Sequence, residues 1–414
     1  MTPAHTTELR VSLRFGDVGG VGGRRRPVGR LALVGGRTLF EFDPSFLAAP
    51  LPLSPVHLPV RPGVCVERDN AFAGLFGLFD DSLPDGWGRL LLDREMERLG
   101  VARGRLTPID RLAWVGEHGP GALIYEPTTH PRHEPGSVDL ASLAAEARLV
   151  LEGDADSVFA ELLALGGSSG GARPKVGLSW NPLDGRVRTG PGADPPGFVE
   201  VIVKFSARSD PPDVGAIEHA YAQMARAAGV DVAPTWLIPA GAGPAFFATQ
   251  RFDRAPRVHM HSLSGLLHAD HRVPSTNYVD LLKLTRWLTR DQRAVDQMYR
   301  RMVFNVLARN RDDHSRNFGF LMDQAGEWRI SPAYDLTFSS GPGGEHWMSV
   351  AGEGRTPARS HCLQVASAAG VAQGRAEAII EEVRGAVAGW RAHAIDAGVG
   401  THSADRIGHA LLAW

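Results

Sequence analysis

At 414 residues the chain exceeds one ordinary core, so two or three domains or lobes are expected. Its 43% hydrophobic and 22% charged residues are those of a soluble globular protein, and a net charge of −2 offers no basic field to nucleic acid or an anionic membrane. The two cysteines, Cys65 and Cys362, exclude a disulfide framework and a Cys-based zinc site. With no export leader and no apolar run of about 18 residues, a cytoplasmic location is expected.

Taken in chain order, period-two runs at Leu9–Leu13, Arg30–Val34 and Thr38–Phe42, with Gly35-Gly36 as a turn, predict a small antiparallel sheet. Arg24-Arg25-Arg26 reads as a solvated loop in preference to a phosphate-contacting arm. A helix is expected over Gly86–Leu99, stopped by Gly100. Residues 126–137, with three prolines and almost nothing apolar, read as a linker. Two helices follow over 140–151 and 157–165. Strand-like runs then dominate Gly166–Phe252, with one helix near Ala216–Ala228, and helical spacing returns over 278–288, 291–309 and 375–394. A β-rich lobe followed by a helical one is the order of protein kinases.

The chemistry-bearing residues fall on that frame. Gly166–Lys175 holds four glycines in its first six residues, so backbone N–H groups around Gly170, Gly171 and Ala172 can turn inward to cradle phosphate oxygens. It lacks the Walker order, and a flexible connector is the plainer reading of the glycines alone. The strand-like Val176–Trp180 after it suggests a hairpin folded over a nucleotide. Lys204 is a lone lysine in the apolar strand Glu200–Phe205 and must either snorkel or find a buried anion, such as a nucleotide phosphate; Glu218, on the next helix, is placed to hold it.

Asn310–Asn317 then supplies Asp312 and, five residues on, Asn317; Asp335 follows eighteen residues later. One carboxylate to position an attacking hydroxyl, one amide oxygen and a second carboxylate for Mg²⁺ are the parts of phosphoryl transfer, at protein-kinase spacing. His314 is read as orienting this loop, and Arg316 as steadying a γ-phosphate or facing solvent. His259, His261, His268 and His271 invite a metal reading, but their spacing repeats on no helix face and they read as loop and strand histidines. Ser168 sits in no Gly-x-Ser-x-Gly elbow, which disfavours a hydrolase.

With these residues in view, the chain resembles the HipA family, the kinase toxins of bacterial type II toxin–antitoxin systems, over nearly its whole length. The likeness is carried by Phe76–Gly88 in the N-terminal part, then by Gly170–Lys175, Val203–Phe205, Arg251–Arg254, Asn310–Asn317 and Pro332–Asp335. It implies an α+β, protein-kinase-like bilobal fold: a β-rich N-terminal subdomain over 1–125, the linker, a mixed N-lobe over 138–257 and an all-helical C-lobe over 258–414. It also implies ATP- and Mg²⁺-dependent serine/threonine kinase activity on a translation-related protein of the aminoacyl-tRNA synthetase class.

On this resemblance Asp312 is the catalytic residue and Asn317 and Asp335 the Mg²⁺ ligands. Lys204 binds phosphate and Lys175 closes the glycine-rich loop. Ser168 is the autophosphorylation site, with Ser169 as the alternative, and a phosphate there would repel ATP and switch the enzyme off. The implied partner is a small helix-turn-helix antitoxin (HipB-like), through which operator DNA is reached indirectly. Asp313, where Gly is often found, and Arg173-Pro174 depart from the family pattern. The competing readings are a catalytically weak antitoxin partner or co-repressor, and a small-molecule kinase of the aminoglycoside type.

Overall fold

The computed structural model describes residues 6–16, 25–129, 136–153, 160–167, 171–189, 196–241, 243–254, 256–412 and 414. Arg24, Ser168, Ser169 and Gly170 lie outside these. The predicted N-terminal strands form as β1 (Glu8–Arg14), β2 (Arg25–Val34) and β3 (Arg37–Phe42). Gly35 and Gly36 turn β2 into β3 with φ of 57° and 77°, the positive values that a tight two-residue hairpin turn demands. With β4 (Val64–Val66) and β5 (Leu123–Glu126) they make an antiparallel sheet of order β4-β3-β2-β1-β5. Arg25 and Arg26, expected in a solvated loop, open β2 instead. Arg25 pairs with Glu126, and the Arg26 guanidinium lies 4.7 Å from the centre of the Phe46 ring.

Helices α1 (Pro44–Ala48), α2 (Gly77–Asp80), α3 (Gly86–Arg98) and α4 (Pro108–Val115) complete this part of the chain. The fourth opens on a capping box in which Thr107 accepts from the Asp110 N–H and Asp110 accepts from the Thr107 N–H.

Next come α5 (Leu140–Glu152), capped by Asp139, and α6 (Ala160–Gly166). They lead into β6 (Lys175–Trp180), β7 (Val187–Arg188), β8 (Val199–Lys204), α7 (Val214–Ala227), β9 (Thr235–Ala240) and β10 (Gly243–Gln250). This second antiparallel sheet has the order β7-β6-β8-β10-β9. The glycine-rich segment enters β6 and is not the turn of the β6–β7 hairpin, so the expected hairpin follows the loop instead of containing it.

The last third contains α8 (Leu263–Leu267), α9 (Tyr278–Thr289), α10 (Gln292–Leu307), α11 (Arg359–Ala368), α12 (Gln373–Ala388), α13 (Trp390–Asp396) and α14 (Thr401–Ala410). The period over 375–394 comes from two helices that meet at Gly389. The lobe is not wholly helical: β11 (His259–Ser262), β12 (Gly319–Met322) and β13 (Trp328–Ile330) form a small antiparallel sheet. All four residues of β12 are buried, so it shows no in–out alternation to read in the sequence. The whole is an α+β, kinase-like bilobal fold.

Two apolar cores divide the molecule across its domain boundaries. One joins the first sheet (Phe40, Tyr125) and α2 (Phe79) to the helical lobe (Tyr278, Phe304, Phe320). The other joins α3 (Trp87, Leu91, Leu92) to the second sheet (Val176, Val201, Val203). The N-terminal part is therefore packed into both lobes, and the change-over falls between Phe79 and Trp87. Among the described residues no helix is long and apolar enough to cross a membrane.

Candidate active site

The loop after α10 is built around Asp313. Its fully buried carboxylate accepts from the Tyr278 hydroxyl at 2.6 Å, His346 Nδ1 at 2.8 Å and the Trp347 N–H at 2.8 Å. Three donors satisfy a charge that could not otherwise be buried. With Asp313 pinned inward, its neighbour Asp312 faces outward, its side chain 46% exposed. Asn317 Nδ2 donates to the Asp312 carbonyl at 2.8 Å, which turns the Asn317 amide oxygen away from that bond. The Tyr334 hydroxyl donates to the Arg316 carbonyl at 2.7 Å and ties the loop to the segment bearing Asp335. Asp335 takes a left-handed φ of 58°, a conformation that a non-glycine residue holds at a cost and that clusters at functional sites.

Lys204, at the end of β8, donates to both Glu218 on α7 and Asp335. The strand lysine, the helix glutamate and the second acidic landmark thus meet, although Lys204 and Asp335 are 131 residues apart in sequence. Burial works against the Lys204 cation, yet the two carboxylates hold its pKa well above the ordinary lysine value. The Lys204 charge in turn holds the Asp335 carboxyl well below the usual carboxylate range.

Lys175 stands directly opposite Lys204 in the β6–β8 ladder, on the same face. Like charges at opposed positions repel, and here both are buried. Burial first, and the Lys204 charge second, push the Lys175 pKa down. A side chain on Gly171, whose φ is 83°, would collide with the Lys175 ammonium, so the lysine and the loop backbone share one space. Burial raises the Asp312 carboxyl, the nearby His314 lowers it, and the Asp335 charge adds to the rise. Asp312, Asp335, Lys175, Lys204 and Glu218 therefore belong to a single electrostatic site. His314 joins it, with Nε2 4.0 Å from Asp312.

Arg316 neither faces solvent nor points free into the cleft: Nη1 donates to Asp85 at 2.6 Å and Nη2 to Asp80 at 3.0 Å, both in the N-terminal part. Its guanidinium pairs with these carboxylates, as the Lys204 ammonium pairs with Glu218 and Asp335. Asp85 also accepts from the Gly171 N–H, so it touches both the Asp312–Asn317 loop and the glycine-rich loop. Gly171 and Ala172 lie on the described edge of that loop, whereas Gly170, Ser168 and Ser169 fall outside the described residues.

Local sequence patterns gave no sign of a second joint. In the segment between β10 and β11, Arg254 Nη1 and Arg257 Nε donate to the Gly121 carbonyl at 2.7 and 3.0 Å, and Asp253 accepts from the Gly121 N–H at 2.8 Å. The Arg251–Arg254 motif is thus a socket for the loop that enters β5. Two of the clustered histidines sit on β11: His259 Nε2 is 2.9 Å from the Leu53 carbonyl, and His261 bridges Asp81 and Ser54 at 2.5 and 3.0 Å. His268 caps α8 in a left-handed conformation and accepts from the Gly77 N–H. These histidines fasten the N-terminal part to the helical lobe.

Comparison with known proteins identifies the family and the fold. Residues 167–390 match the family described as HipA-like C-terminal domain, and residues 21–126 match the HipA N-terminal domain. No curated protein matches the chain in sequence. Among solved structures, the Shewanella oneidensis MR-1 toxin–antitoxin system HipA, HipB and operator DNA complex contains a chain of the same fold. It aligns with a TM-score of 0.68 and 16% identity, covering 98% of this chain and 94% of that one. The Helicobacter pylori proinflammatory kinase CtkA aligns over 50% of this chain and 92% of its own, with 15% identity and a TM-score of only 0.32. The kinase-like lobes, the Lys204–Glu218–Asp335 cluster and the two domain matches lead to one assignment: the chain belongs to the HipA family.

Proposed function

We propose that this protein is an ATP-dependent serine/threonine kinase acting as the toxin of a HipBA-like toxin–antitoxin module. The reading rests above all on the opposed, buried lysines Lys175 and Lys204. Two cations on one sheet face, with Asp335 and Glu218 beside them, form a site that a polyphosphate completes. The donor set fits a nucleotide with Mg²⁺: the Asn317 amide oxygen and the Asp335 carboxylate are hard oxygen ligands of the kind Mg²⁺ takes. Bound there, the ion would neutralise charge developing between the phosphates. Lys204 and Lys175 would hold the phosphates, with the backbone at Gly171–Ala172 closing over them. Asp312 would orient the substrate hydroxyl and take its proton on a carboxylate oxygen.

The substrate class, a translation protein such as an aminoacyl-tRNA synthetase, is proposed from the family resemblance. So are the autophosphorylation of Ser168 (or Ser169) as an off-switch, cytoplasmic action, and a HipB-like helix-turn-helix partner that carries the toxin to operator DNA. Asp312→Gln is expected to abolish both phosphate transfer from [γ-³²P]ATP and growth arrest. A variant that stayed toxic would overturn the kinase reading. Mass spectrometry of Ser168→Ala and Ser169→Ala proteins, purified after brief induction, assigns the modified serine.

A further inference from the structure

Asp85 lies in the turn between α2 and α3, where the chain passes from the core shared with the helical lobe to the core shared with the second sheet. On the helical-lobe side, Asp80 and Asp81 hold Arg316, His261 and Ser262. On the sheet side, the Trp87 N–H donates to the Gly171 carbonyl at 2.8 Å and Trp87 Nε1 donates to the Lys175 carbonyl at 3.0 Å. Between them, one Asp85 oxygen accepts from the Gly171 N–H and the other from Arg316. The Gly171 peptide is therefore held on both edges by residues 85–87. Contact is so close that a side chain on Gly86 would meet the Gly171 carbonyl and, at 2.7 Å, the Ala172 Cα.

We infer that Asp85 is a positioning residue for nucleotide binding: it fixes the glycine-rich loop to the catalytic loop, so that the phosphate cradle stands at a set height over Asp312. This rests on the kinase reading of the site and deepens it. Two features favour a built strut over a chance contact. Arg316 is nearly sealed from solvent and its charge is matched locally by Asp80 and Asp85. Asp85 itself is held ionised, its pKa lowered against the effect of burial by Arg316 and by the Gly171 N–H. A charge-assisted bond of this kind is among the stronger ones in a protein, so its loss should register in the loop it holds.

The test compares full-length wild type, Asp85→Ala and Asp85→Asn by two measurements: amide hydrogen exchange of the 166–174 peptide without nucleotide, and the Kd of mant-ATP with Mg²⁺. Asp85→Asn keeps an oxygen for the Gly171 N–H but loses the charge that Arg316 needs. Asp85→Ala should speed exchange of the loop peptide about tenfold or more and weaken mant-ATP by a similar factor. Asp85→Asn should fall between it and the wild type, and thermal melting confirms that both variants are folded. Exchange equal to wild type in a folded Asp85→Ala protein overturns the inference whatever the nucleotide does. If the wild type fails to bind mant-ATP, the kinase reading falls instead, and the exchange result still decides whether the strut exists. Should Asp85→Ala not fold, Asp85→Asn decides alone, and should neither fold, Asp85→Glu, which keeps the charge but moves it by one methylene, is read in the same way: loop exchange faster than wild type supports the strut and unchanged exchange removes it.

Discussion

Asp80 and Asp312 both hold their protons more tightly than a free aspartate does, and each makes a prediction with a definite sign. Burial pushes Asp80 up to about 6, with the Arg316 charge working against the rise. The folded state then binds the Asp80 proton more tightly than the unfolded chain, whose carboxyl titrates near about 4. Between these values ionisation of Asp80 is a net cost to the fold. Relative to wild type, Asp80→Asn is therefore expected to gain stability as the pH rises from about 4 to about 6, read by urea denaturation at several pH values. Asp312 is shifted in the same direction by burial, offset by His314. The proton-acceptor role proposed for it requires the ionised form. The acid limb of phosphate transfer should accordingly lie above the ordinary aspartate value, and His314→Ala should move it higher, as a pH–rate profile of [γ-³²P]ATP transfer will show.

At the scale of elements, α7 matters because it carries Glu218, and its back is supported by aromatic packing from the end of the chain. Tyr221 meets Trp390 with ring centres 5.2 Å apart, and Trp390 Nε1 donates to the Ala404 carbonyl at 2.9 Å. Trp390→Ala should cost about 3–5 kcal/mol in urea denaturation, the usual range for deleting a buried large aromatic. Because it loosens the helix that holds Lys204 through Glu218, it should also weaken mant-ATP binding. Helices such as α3, α5, α7, α9 and α10 were legible from their apolar period. Lys204, Glu218, Asp312, Asn317 and Asp335 were legible because each sits in a short segment whose spacing has chemical meaning. The anchoring of Arg316 carries no such signal: its partner Asp80 is 236 residues away, and no local pattern announces such a bond. The β11–β12–β13 sheet escaped because its strands are only three or four residues long, too short to display a period, and β12 is buried throughout.

For the whole molecule, the shared cores imply that the first 126 residues and the helical lobe stabilise one another. A chain beginning at residue 138 would uncover the faces of Tyr278, Phe304 and Phe320 that complete the first core. Such a truncation should lose cooperative thermal unfolding, and calorimetry of the full chain should show the N-terminal part and the helical lobe melting in a single transition. The buried Asp313 carboxylate has a further consequence, for kinetics. Its three donors come from α9 and from the 346–347 segment, so the backbone that presents Asp312 is fixed by the rest of the fold before any ligand arrives. Little ordering entropy is then left for the nucleotide to supply at this loop. Capture of ATP should proceed in one step close to the rate of encounter, and the slow events of the cycle should arise elsewhere than in the folding of the catalytic loop.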